Sequence, residues 1–188
     1  MESNFDDPQE IIRQAKKGDK KAFEKLYQVH YVPVFRYVYL RIQDKMQTED
    51  IVQEVFMKVY KSIENYQDQG KNPLAYFFTI ARNKVIDFYR KKKSVSLDEN
   101  LAVFEQLEGK RDNPEALFEQ NEKAKVVNLA IQRLNDTQKE VIILKYINGF
   151  DNDQIAQMLG KKEDAIRQIQ HRALKCLKEI LKDTLEGI

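Results

Sequence analysis

The 188 residues predict an all-α protein: two small helical domains joined by a flexible acidic linker, the C-terminal one containing a helix-turn-helix. Three observations point there. Six glycines and four prolines are too few to punctuate a many-stranded sheet, and helix formers dominate. Apolar residues recur at helical spacing over most of the chain. Residues 95–114 break that pattern: they are polar, acidic and aperiodic, close on Asp112-Asn113-Pro114, and separate a unit at 1–94 from one at 115–188.

Taken in order, a first helix starts at Pro8 with Asp7 as its N-cap and ends near Gly18. A second begins at Asp19 and carries Phe23, Leu26 and Tyr27. Its far half, from Tyr31 to Leu40, is rich in β-branched and aromatic residues and holds Pro33, so a helix kinked or restarted near Pro33 is expected. A third opens at Thr48-Glu49-Asp50, with Ile51, Val52, Val55, Phe56, Val59, Tyr60 and Ile63 forming the apolar stripe. Glu49, Asp50, Gln53, Glu54 and Met57 fall on its other faces. After a Gly/Pro loop from Tyr66 to Pro73, a fourth helix covers about Leu74 to Lys92. In the second unit, Val126 to Leu134 mark one helix, and Asn135-Asp136 caps another that stops at Asn148-Gly149.

Net charge is only +2, but its distribution is uneven. Arg82, Lys84, Arg90, Lys91, Lys92 and Lys93 face Asp87 alone, an acidic stretch follows, and residues 161–178 are basic again. Two basic patches suit contact with a polyanion at two places. Cys176 is the single cysteine, so an intrachain disulfide or multi-cysteine metal site is excluded. The acidic start is no signal peptide, and no apolar run nears the ~20 residues that cross a bilayer, so a cytoplasmic protein is expected.

The most informative segment begins at Asn152. Ile155 and Leu159 face inward, Ala156 is small where a second helix must cross closely, and Gly160 can take the positive φ of a sharp turn. Ile166, Ile169, Ala173, Leu177 and Ile180 bury one stripe of the following helix. Arg167, His171 and Lys175 then line the opposite face, with Gln168 and Arg172 beside them. Such a face can lie in the major groove, where Arg reads guanine and Gln reads adenine through paired hydrogen bonds. Lys161, Lys162, Lys175 and Lys178 serve phosphates.

Two further segments extend this reading. Asp50-Ile-Val-Gln-Glu-Val-Phe56 resembles a segment of bacterial RNA polymerase sigma factors of the extracytoplasmic-function (ECF) group. Ile80-Ala-Arg-Asn83, with Asp87 and Arg90, resembles the group's promoter-melting stretch, and Asp153–Ala156 through His171–Leu174 its promoter-reading domain. The resemblance covers about residues 10–94 and 115–183. It implies that Asp50, Gln53, Glu54 and Phe56 bind core RNA polymerase. It also implies that Tyr66, Tyr76, Arg82, Asn83, Arg90, Lys91 and Lys92 recognise and melt the downstream (minus-ten) promoter element. Lys162, Arg167, Gln168, His171, Arg172 and Lys175 would contact the upstream (minus-thirty-five) element. Stacking and cationic residues are what single-strand capture needs, although Phe77, Phe78 and Ile80 suit a core better. An anti-sigma partner is implied too; no metal or cofactor is.

The chain departs from the group's pattern at Tyr76, where Trp is common, at Lys161, usually apolar, at Gln154, often Glu, and over Ala165–Gln168. The last of these bears on which promoter is read. A stand-alone helix-turn-helix regulator is an alternative, distinguished by tight specific DNA binding without polymerase. An inactive helical adaptor would bind no DNA at all. Against an enzyme stand the lack of a Gly-rich phosphate loop, of a Ser or Cys nucleophile motif, and of ligand spacing between His30 and His171.

Overall fold

The computed structural model describes residues 8–66, 73–98 and 122–186. Among these there are eight α-helices and no strand. The chain divides into two compact units, Met1–Lys93 and Ser94–Ile188. The expected N-cap at Asp7 lies outside the described residues, as does the expected linker beyond residue 98.

In the first unit, α1 (Pro8–Lys16) leads through Gly18 into α2 (Lys20–Ile42). Asp19 caps α2, its Oδ1 accepting from Lys21 N at 2.8 Å and Ala22 N at 3.2 Å. Pro33 does not divide this helix. The hydrogen bond it removes costs ~3 kcal/mol or more in a free helix, yet Leu26 and His30 before it and Val34, Phe35, Tyr37 and Val38 after it are all buried. Packing on both sides keeps the rod continuous.

Helix α3 (Lys45–Ser62) starts a turn earlier than the sequence suggests. Gln43 turns the chain at φ 59°, Asp44 Oδ1 caps Gln47 N at 2.9 Å, and the buried Thr48 donates its hydroxyl to Asp44 O at 2.6 Å. Thr48 is thus an inner residue of the first turn and not the cap. A short 3-10 turn, Ile63–Asn65, follows. Helix α4 (Leu74–Asp98) runs past the expected stop at Lys92, since Ser94-Val-Ser-Leu-Asp98 holds neither Gly nor Pro to end it.

The second unit consists of α5 (Glu122–Gln132), α6 (Asp136–Ile142), a π-turn at Ile143–Ile147, α7 (Asn152–Leu159) and α8 (Glu163–Glu186). Asn135 and Gln138 form a capping box on α6. Its core gathers Ala130, Ile131, Leu134, Val141 to Leu144, Phe150, Ile155, Ile166 and Ala173. The π-turn has no signature in the sequence; its wide closure shows in Asn148 N bonding Ile143 O at 3.1 Å.

His30 belongs to the core of the first unit, its ring 4.7 Å from that of Phe77. Burial pushes its pKa from the usual 6.5 down to about 4. The unfolded chain therefore takes up this proton before the folded one does. The stability this contributes is complete above about pH 6.5 and is lost as the pH falls from there to about 4. His30→Leu should shrink the loss of unfolding free energy between pH 7 and pH 4.5 by on the order of 2 kcal/mol, read from urea melts of the first unit's signal.

Candidate functional site

The expected contact residues sit on three helix faces, two in the first unit and one in the second. On α3, Asp50, Gln53 and Glu54 are exposed. They share their face with Met46 (70% exposed), Met57 (58%) and Tyr60 (53%). Sequence periodicity had put Tyr60 on the inner stripe; it lies at the stripe's edge, packed edge-on against Phe23 at 4.9 Å. Phe56 lies on the inner stripe as its spacing predicts, which corrects the polymerase contact that the resemblance implies for it. It is 4% exposed and its ring meets Tyr27 at 4.7 Å and Phe77 at 5.5 Å, so it is a core residue and offers no surface to a partner.

Glu54 does not stand alone. Its Oε2 accepts from Lys84 Nζ at 2.6 Å, a bridge from α3 to α4. Both side chains are partly exposed, so the pair is worth at most about 1 kcal/mol.

The aromatic residues before and within α4 come together. The rings of Tyr66 and Tyr76 lie 4.9 Å apart, and Tyr76 Oη shares a 2.6 Å hydrogen bond with Ser62 Oγ. Lys16 donates to the carbonyl of Tyr66, tying α1 to the start of this loop. Residues 67–72 lie outside the described residues. Phe77 and Phe78 are buried, which resolves their two readings in favour of the core; Ile80 is half-buried. Thr79, Asn83 and Arg90 recur on the outward face, Arg82 is half-buried beside them, and Lys91 and Lys92 are exposed. Arg90 Nη2 pairs with Asp87 Oδ1 at 3.0 Å. The side chain of Lys93 is outside the described residues.

In the second unit, Gly160 ends α7 at φ 61°, ψ 39°, with Ala156 buried at the crossing. The Gln154 that stands where Glu is common still accepts from Asp151 N at 2.9 Å, doing the capping work of a Glu. Lys162, Arg167, Gln168, His171, Arg172 and Lys175 are all exposed on or just before α8. Ile166 and Ala173 are buried on its inner side, while Leu159, Ile169, Leu177 and Ile180 are only half-buried. Arg167 Nη2 bonds Glu163 Oε1 at 2.6 Å. That hydrogen bond, then the carboxylate's charge, raises the Arg167 pKa. Tyr146, presented by the π-turn, accepts from Gln170 Nε2 at 2.5 Å and braces α8.

Among the described residues no cluster of side chains could hold a metal ion, and no helix is long and apolar enough to cross a membrane.

Residues 26–95 match the family model described as Sigma-70 region 2, and residues 130–179 that described as Sigma-70, region 4. The ECF RNA polymerase sigma factor BldN of Streptomyces coelicolor is 31% identical over 174 residues, covering 93% of this chain and 66% of BldN. The chain belongs to the ECF group of RNA polymerase sigma factors. This sigma factor is also 28% identical to SigX of Bacillus subtilis over 173 residues, with 88% of each chain covered. Its fold is that of CnrH, solved with the cytosolic domain of CnrY (TM-score 0.69, 22% identity, 92% of this chain and 96% of that one). RpoE of Bartonella quintana is comparable, at TM-score 0.67 and 24% identity over 86% and 98%. Like others of its family, the sigma factor is a transcription initiation factor whose regions 2 and 4 bind DNA, and its partners are core RNA polymerase and promoter DNA.

The turn at Gly160 is open to a direct test of its backbone. An added Cβ would meet nothing within 4 Å, so the cost of Gly160→Ala is the left-handed φ alone. A loss of about 1 kcal/mol is expected in denaturant titration of the second unit; a neutral substitution would show that the turn relaxes.

Proposed function

We propose that this sigma factor assigns its three faces to three tasks: polymerase docking on α3, opening of the minus-ten element on α4, and reading of the minus-thirty-five element on α8. In this reading residues 1–94 dock and melt, 95–114 link, and 115–188 read. The observation that carries it is the match to region 2 and region 4 in chain order, with the outward face of α8 made of Lys162, Arg167, Gln168, His171, Arg172 and Lys175.

Each task rests on its own chemistry. Asp50, Gln53 and Glu54 give α3 an acidic and amide rim around Met46, Met57 and Tyr60, a mixture suited to a protein partner. Tyr66 and Tyr76 offer ring faces to unstacked bases, and Arg82, Asn83, Arg90, Lys91 and Lys92 offer donors to bases and backbone. On α8, Arg167 and Gln168 have the bidentate geometry for base edges, and Lys162 and Lys175 suit phosphates. The factor works as a specificity subunit in the cytoplasm and catalyses no reaction itself. RpoE of Bartonella quintana, whose fold it shares, was solved with the anti-sigma factor NepR, and control by an anti-sigma protein is proposed here also.

Asp50→Ala combined with Glu54→Ala should abolish co-purification with core polymerase while leaving the helical circular dichroism unchanged; undiminished co-purification would remove α3 from the docking surface. Exchanging Arg167 or Gln168 should change which upstream element supports transcription, measured over a promoter library. Uniform weakening across the library would make them phosphate contacts. Tight, sequence-specific gel shifts by the protein alone would favour a stand-alone regulator.

A further inference from the structure

Val85 and Ile86 are adjacent β-branched residues on α4 that differ in burial. Val85 is 1% exposed in the core, while Ile86 is 43% exposed. A turn of helix separates Ile86 from Asn83 on one side and Arg90 on the other, and Thr79 lies two turns back on the same outward face; all three are exposed. The surroundings are cationic: Arg82, Arg90, Lys91 and Lys92 against Asp87, which is itself paired to Arg90. Ile86 thus leaves part of a branched apolar side chain open on this cationic face.

We infer that Ile86 is a specificity-determining residue of the melting helix, reading the C5-methyl group of a thymine in the downstream promoter element. The inference rests on the assignment of α4 to that element. Charge complementarity selects a nucleic acid as the occupant of this face. Among base edges, the thymine methyl is the apolar group that a branched aliphatic side chain can cover. Asn83 and Arg90 then bracket the contact with a base-edge amide and a phosphate cation, so one face combines a methyl probe with hydrogen-bonding and electrostatic anchors. Chemistry thus distinguishes Ile86 from its neighbours: it discriminates thymine from cytosine and uracil, which neither a cation nor an amide does through a methyl group.

The test uses the full chain bound to core polymerase. The probe is a duplex promoter recovered by mapping transcription starts after forced expression, with each thymine of its downstream element replaced in turn by deoxyuridine. At one position the wild-type holoenzyme should lose about four-fold in open-complex affinity, the worth of one buried methyl. The same replacement should leave Ile86→Ala holoenzyme unchanged. Three results would overturn the inference: no thymine in the element, no position sensitive to the methyl, or an equal loss on deoxyuridine in both proteins. Failure of forced expression to raise any transcript would instead count against the proposed function itself. Since Ile86 is outside the core, Ile86→Ala should keep the wild-type melting temperature, which separates a lost contact from a lost fold.

Discussion

The first unit hangs on the burial of Phe56. Its ring is where three helices meet, touching Tyr27 from α2 and Phe77 from α4 while Val52, Val55 and Val59 hold α3 down beside it. Aromatic rings bury large areas and prefer tilted contacts such as these, so the cluster fixes helix rotation as well as helix position. Once α3 is held by Phe56, Asp50 and Gln53 can only face outward, and once Phe77 and Phe78 are held, Asn83 and Arg90 can only face away from the core. The exposed faces follow from the buried ones.

The second unit obeys the same logic with smaller residues. Ile155 and Ile166 are fully buried, Ala156 gives the room for the crossing, and Gly160 bends the chain between them. The outward set on α8 follows from this inner stripe by helical geometry; Glu163, one turn back, holds Arg167, and Tyr146 of the π-turn holds Gln170 beside the set.

How far these features could be read from the chain depended on whether the deciding contacts were local. The helix-turn-helix was legible because its spacing is a local mechanical requirement: a small residue at the crossing and a glycine at the turn. The capped start of α6 was legible for the same reason. Periodicity places Phe56 inward, as found, and only the resemblance offers it to a partner; Tyr60 departs from the stripe because its exposure is decided by packing against Phe23, which lies far away in sequence. Pro33 suggested a break that long-range packing overrides. Ile86 was invisible because two successive aliphatic residues on a helix do not say which of them faces inward. The π-turn at Ile143–Ile147 has no residue that announces it, and α4 outran its expected end because no breaker stops it.

Three cations near the proposed DNA faces are already partnered within the protein: Lys84 with Glu54, Arg90 with Asp87 and Arg167 with Glu163. A nucleic-acid phosphate must compete with a carboxylate for each of them, which lowers the sequence-independent attraction that counterion release would otherwise supply. A correct promoter offers base-edge contacts that offset the exchange; random DNA does not. A chromosome presents roughly 10⁶–10⁹ wrong sites for every right one. Under that excess, on the proposed faces, built-in neutralisation would keep more of the factor off the bulk of the genome and free to meet its polymerase.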